Sequence, residues 1–262
     1  MKKLLFLFVF LWFGARSLTA QEAPTEPIIP FHTSLTDAKD PKQVATVLEV
    51  VALVTILTLA PSLLILTTAF TRIVIVLSFL RRALTTQNLP PNQVIMGLSL
   101  FLTFVVMHST WERSWEDGIS PYLEGKITSR TEAYEKTVAP VREFMFEQIN
   151  ANGWEDLRLF IYSSGMKYDP ELGLSYSEIP LSMLSAAFIL GELKRSFIMG
   201  FFLYLPFLII DMVVSSILMS MGMLMLPPII ISLPFKILIF ILADGWRLVV
   251  GNLMRSFEPV GT

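Results

Sequence analysis

Met219-Ser220-Met221-Gly222-Met223-Leu224-Met225-Leu226-Pro227-Pro228 lies between two long apolar tracts that carry isolated charges at Asp211, Lys236 and Asp244. Gly222 relaxes the backbone, and Pro227 with Pro228 stops a helix from running straight through. Unbranched thioether side chains adapt their packing to whatever meets them. In an extended conformation Met219, Met221, Met223 and Met225 share one face. The stretch reads either as a flexible apolar gasket inside a membrane assembly or as methionine filling a buried helix.

Its flanks decide the fold class. Of 262 residues, 53% are hydrophobic and the mean hydropathy is +0.62, whereas soluble chains reach about half apolar only with glycine counted. An all-α integral membrane protein is expected. A net charge of -2 offers no basic surface for nucleic acid. The absence of cysteine excludes disulfides, thiolate chemistry and cysteine-ligated metals, leaving His32 and His108 as the imidazoles. Neither a metal nor a cofactor is expected.

Working toward the N-terminus, residues 1–20 combine Lys2 and Lys3, an apolar core from Leu4 to Phe13, and Ser17-Leu18-Thr19-Ala20 before Gln21-Glu22. This is the pattern of a cleavable signal peptide with the mature chain starting near Gln21, because the core is short for a span of about 20 residues. An uncleaved anchor is the alternative, since Leu18 is bulky for its position. Residues 21–43, with Pro24, Pro27, Pro30 and Pro41, form an extended lead outside the cytoplasm.

Residues 44–110 make a first apolar hairpin region. Val44 to Leu80 exceeds one span, and Pro61 is the expected breakpoint. Arg72, Arg81 and Arg82 have no acidic neighbour before Glu112, which marks a cytoplasmic-side loop by the positive-inside rule. They serve as topology determinants or bind a partner. Asn88-Leu89-Pro90-Pro91-Asn92 turns the chain, and Gln93 to His108 returns as a second helix.

Residues 111–180 hold thirteen acidic against seven basic residues and read as a soluble insert on the outer side. Val141, Phe144, Met145 and Ile149 are spaced as one helix face, with Pro140 in a first turn, and Trp154, Leu157 and Ile161 repeat the spacing before Gly165. The apolar faces of two or three such helices pack on neighbours or on one another. Residues 181–262 are apolar again, but Glu192, Lys194, Arg195, Asp211, Lys236, Asp244 and Arg247 punctuate them. Charges at membrane depth are costly unless paired or shielded. Glu192, Lys194, Asp211, Lys236 and Asp244 form either a proton relay or a set of buried ion pairs between subunits.

Three ordered blocks resemble the FliP family, the P subunit of the export gate of flagellar type III secretion, related to the R subunit of virulence injectisomes. They are Phe70-Thr71-Arg72-Ile73-Val74-Ile75-Val76 with Pro90-Pro91-Asn92-Gln93-Val94; Glu192-Leu193-Lys194 with Pro206-Phe207-Leu208-Ile209-Ile210-Asp211; and Gly222-Met223-Leu224-Met225 with Leu233-Pro234-Phe235-Lys236, Asp244-Gly245-Trp246 and Ser256-Phe257. The resemblance runs from Val44 to Phe257 and is weakest between Gly153 and Ser177. Thr85 stands where a glycine is usual, Ser109-Thr110 where a proline is common, and Leu224 interrupts a run of methionines. The last change conserves volume.

The resemblance implies a noncatalytic subunit. Its copies form a pentameric ring, join Q and R subunits and other export-apparatus membrane proteins, and line a conduit for unfolded secreted polypeptides across the inner membrane. It also maps Met223, Leu224 and Met225 onto the constriction loop, with Met219 and Met221 beside them, and favours ion pairing over proton coupling for the buried charges. In such an assembly other subunits, instead of lipid, shield apolar segments.

Enzyme readings find no support in the sequence. His32 and His108 lack a nucleophile constellation, no zinc protease motif occurs, and Asp211 with Asp244 lacks the flanking pattern of an intramembrane protease. The rival from another class is an ion-coupled secondary transporter working through its intramembrane acids. Such proteins are commonly built from repeats, and none is apparent here.

Overall fold

A computed structural model of the protein describes residues 41–84, 90–152, 154–165, 179–223 and 226–258. Residues 1–40, which hold the expected signal peptide and most of the lead, and Leu224 and Met225 lie outside the described residues; residues 41–43, expected to be extended, begin the first helix instead. The described chain is helical throughout: α1 (Pro41–Leu66), α2 (Phe70–Ala83), α3 (Asn92–Val106), α4 (His108–Arg113), a π-helical turn Ser114–Ile119, α5 (Ser120–Leu123), α6 (Arg130–Asn152), α7 (Glu155–Ser163), α8 (Leu181–Ser220), α9 (Pro228–Leu242) and α10 (Gly245–Arg255).

The chain divides into two units, Met1–Ile56 and Leu57–Thr262. In the first, the described part of α1 exposes Leu48, Leu53 and Ile56. The second holds the core. There α2, α3, α6, α7 and the first half of α8 share one apolar cluster, in which Ile73, Leu77, Met145, Leu157, Leu184 and Phe188 are almost completely buried.

Among the described residues α8 alone is a single helix long and apolar enough to cross a membrane. Two more spans arise if α3 with His108–Leu123, bent by 60°, and α9 with α10, bent by 64°, each count as one. At 40 residues, α8 is about 60 Å long, against a bilayer core of about 30 Å. Its two ends therefore meet different surroundings. Leu184, Ala187, Phe188, Glu192 and Ser196 are buried in the core, whereas Phe201, Phe202, Ile209, Met212 and Ile217 are exposed. The buried hydroxyls of α3 are satisfied within their own turns, Ser99 Oγ donating to the Ile95 carbonyl at 2.7 Å and Thr103 Oγ1 to Ser99 O at 2.7 Å.

Two local expectations are corrected. The first break falls at residues 67–69, because α1 continues past Pro61 to Leu66. Thr68 makes that turn, donating to the Ile65 carbonyl at 3.1 Å and accepting from Phe70 N at 3.4 Å. In an apolar setting a helix interrupted by proline loses less than a chain whose backbone groups all go unpaired. Pro140 likewise lies inside α6, not in its first turn. Ala133 before it and Phe144, Met145 and Ile149 after it are all buried, so packing on both sides holds the helix through the lost hydrogen bond. Of the two readings of residues 111–180, packing on neighbouring helices is the one found within the chain: their described helices share the core of α2 and α8. Trp154, Leu157 and Ile161 follow the expected helical pattern in α7, and Gly165 ends it at a φ of 72°.

α2 and α8 cross closely at Gly200. A Cβ there would stand 2.5 Å from the Phe79 ring, and Phe79 meets Phe197 edge-on at 5.5 Å. Gly200→Leu should destabilise the protein by about 1–3 kcal/mol through overpacking, read as a lower Tm of detergent-purified protein. Phe79→Ala in the same chain should recover much of the loss. An unchanged Tm for Gly200→Leu would mean that the crossing is loose enough to absorb a side chain.

Candidate functional site

The charged residues singled out in the sequence separate into two buried sites and an exposed remainder. The larger site is built around Arg72, on the first turn of α2 and completely buried. Its Nε donates to Glu192 Oε2 at 2.8 Å, and Nη2 donates to Glu192 Oε1 and, at 2.9 Å, to Gln148 Oε1. Nη1 donates to Ser256 O at 2.6 Å and to Ser256 Oγ at 3.0 Å. Every guanidinium N–H thus has an acceptor, the condition under which burying this charge is tolerable. The Phe257 ring covers one face, its centroid 3.9 Å from Cζ. Gln148 Nε2 donates onward to Phe257 O at 3.3 Å, and half-buried Arg195 donates to Gln148 Oε1 and Ser256 O, both at 3.3 Å.

Arg72 is therefore set apart from Arg81 and Arg82, with which the sequence groups it. Arg82 is exposed, its guanidinium 5.9 Å from the Phe79 ring. Arg81 is half-buried and donates to Asn92 Oδ1, joining the end of α2 to the start of α3.

The second site joins α8 to α9. Lys236 is completely buried and donates from Nζ to Asp211 Oδ2 at 2.6 Å and to the Ala83 carbonyl at 3.3 Å. Ala83 ends α2, so the ammonium lies against the negative end of that helix as well as against a carboxylate. Ser232, one turn before Lys236, donates to Asp211 Oδ1 at 2.5 Å. Leu80, Ala83, Leu84, Phe207 and Phe240 form an apolar cluster around these helices.

Glu192 and Asp211 thus belong to separate ion pairs, both within one chain. Lys194 is exposed on α8. Asp244 is exposed at the bend between α9 and α10, in left-handed backbone at φ 50°, ψ 50°, and its nearest cation is Arg247 at 4.0 Å. Aspartate is among the few residues that tolerate this conformation. Outside the spans, partial burial first and the Glu143 carboxylate second push the Glu147 carboxyl above its ordinary range, while Arg113 opposes them.

The methionine segment begins as helix. Met219 belongs to α8, and Met221 caps it. Gly222, at a φ of 73°, donates to Met219 O at 3.1 Å, and Met223 N donates to Leu218 O at 3.0 Å. These two bonds make a Schellman cap, for which Gly222 supplies the left-handed residue. The extended arrangement that would align all four methionines does not hold at Met219 and Met221, because the helix cap occupies that backbone. Met219, Met221 and Met223 are exposed. Pro228 opens α9 at its first turn, where a missing N–H costs nothing.

Gln148, Ser256, Phe257 and Ser232 carry these sites and were not singled out for them in the sequence. Two left a signal. Gln148 is the polar residue on the stripe of Val141, Phe144, Met145 and Ile149, and Ser232 precedes Lys236 by four residues on an apolar helix. The role of Ser256 rests mainly on its backbone carbonyl, which leaves no mark in sequence.

These features define an α-helical membrane protein whose buried charges are consumed in internal pairs and whose interhelical turn presents exposed methionines. The sequence matches the FliP family over residues 53–253. It is 49% identical to the flagellar biosynthetic protein FliP of Bacillus subtilis over 84% of this chain and 96% of that protein. It is also 43% identical to the protein of that name from Borreliella burgdorferi over 95% and 97% of the two chains, and 49% identical to that of Caulobacter vibrioides over 81% and 77%. The chain belongs to the FliP family.

Asp211→Ala should cost about 3–5 kcal/mol, because it strands the Lys236 ammonium. Asp211→Glu should cost less, and Asp211→Leu combined with Lys236→Met should regain most of the stability. Tm of the purified variants, with oligomer on native gels as a second readout, decides. Wild-type stability of Asp211→Ala would mean that the carbonyl of Ala83 alone satisfies the lysine.

Proposed function

We propose that the protein is a subunit of the flagellar type III export gate, in which copies of it form a pentameric ring with Q and R subunits and other export-apparatus membrane proteins. The ring lines a conduit for unfolded polypeptide across the bacterial inner membrane, with residues 111–180 on the periplasmic side, and carries out no catalysis. The observation that carries this reading is family membership across residues 53–253, together with relatives named for flagellar biosynthesis.

The methionine turn supports a constriction. Met219, Met221 and Met223 are exposed in the single chain, and apolar side chains gathered around an axis exclude water and ions while still deforming around a passing chain. Leu224 and Met225 complete the loop in this reading. The buried charges support a structural subunit over an ion-coupled transporter, since Glu192 and Asp211 are already held by Arg72 and Lys236.

Deleting Met223 to Met225 should leave membrane insertion intact, because the apolar helices on either side remain. It should make reconstituted complexes of P, Q and R leak ions, with oligomer amounts matched. Replacing Met223 and Met225 with leucine should leak far less, as volume and apolar character are nearly kept. A deletion that assembles and stays as tight as the wild type would refute the constriction.

A further inference from the structure

α10 ends where Arg72 and Arg195 meet. Ser256 caps the helix and turns one carbonyl toward both guanidiniums, 2.6 Å from Arg72 Nη1 and 3.3 Å from Arg195 Nη1. Among the described residues only one carboxylate, Glu192, makes an ion pair with either arginine. Two cations thus share one anion in a largely buried site. The balance comes from the helix end, where the Ser256 carbonyl faces both guanidiniums and the aligned peptide dipoles of α10 behind it are equivalent to about half a negative charge.

The same helix end is seated by packing. Leu253 is completely buried, and the Phe257 ring stacks at 6.4 Å on Phe144 while covering Arg72. The segment therefore brings charge, hydrogen-bond acceptors and an apolar cover to one place. It is also distant in sequence, with Ser256 lying 184 residues after Arg72.

We propose that the end of α10 is an electrostatic latch: docking of Ser256 and Phe257 supplies the counter-charge that Arg72 and Arg195 lack, and the core of α2, α6 and α8 closes only when that docking occurs. Closure then waits until the chain has been made through Phe257. A chain that has inserted its apolar helices but not docked α10 is left with an open core around two under-compensated arginines. The latch is independent of the export reading, since it concerns how one chain completes itself.

The protein has no cysteine, so Ala187→Cys in the middle of the core gives a clean reporter for maleimide labelling in native membranes; Ala187 is completely buried. The full chain should label slowly, and removal of 259–262 should change nothing. Ending the chain at Arg255 should speed labelling at least tenfold. Arg195→Met in that shortened chain removes the surplus charge and should bring the rate back at least threefold, while the same substitution in the full chain leaves the reporter protected. If the shortened chain is degraded, the comparison is read as steady-state amount, with Arg195→Met restoring it. Protection that survives loss of 256–262 overturns the latch, and so does a failure of Arg195→Met to restore either quantity, which would reduce the segment to ordinary packing.

Discussion

A fully buried guanidinium with every N–H satisfied is the constraint on which the second unit depends. Arg72 on α2 reaches Glu192 on α8, Gln148 on α6 and Ser256 after α10. Those partners are 120, 76 and 184 residues away in sequence. A buried cation costs several kcal/mol unless its acceptors are all in place, so the four segments must arrive together and in one register. Apolar packing alone is less discriminating, because hydrophobic surfaces tolerate sliding that a planar fork of donors does not.

From this fixed point the long helix α8 extends in two directions. Its first half is held by the core and by Glu192. Its second half leaves the core and is tied back by Asp211, whose partner Lys236 on α9 also reaches the end of α2. Both buried pairs therefore involve α2 and α8, the helices that Gly200 and Phe79 bring into close contact. Beyond the second pair α8 runs to the Schellman cap at Gly222, so the methionine turn projects from a rod clamped at two points. This geometry suits a constriction, which needs compliant side chains on a backbone that does not wander.

Much of this was legible in the sequence. Hydropathy gave the apolar tracts, the spacing of Phe144, Met145, Ile149, Leu157 and Ile161 gave the core faces of α6 and α7, and Gly222 with the prolines gave the turn between α8 and α9. What could not be read follows from two physical causes. Proline is locally disfavoured in helices, yet α1 and α6 run through Pro61 and Pro140, and at Pro140 the packing of Ala133, Phe144, Met145 and Ile149 on both sides outweighs the local cost. Charge identity also says nothing about partner. Arg72 shares a basic run with Arg81 and Arg82, but only tertiary structure sends it inward to Glu192, and the network is closed by a carbonyl that any residue at 256 would possess.

The account stands on the coupling between Arg72 and Glu192, and a double-mutant cycle measures it directly. Unfolding free energies in detergent would be compared for the wild type, Arg72→Met, Glu192→Met and the double variant. Each single substitution should cost about 3–5 kcal/mol by stranding the other charge, and the double should cost at least about 2 kcal/mol less than the sum of the two. Additive losses would contradict the claim that this pair sets the register of the fold.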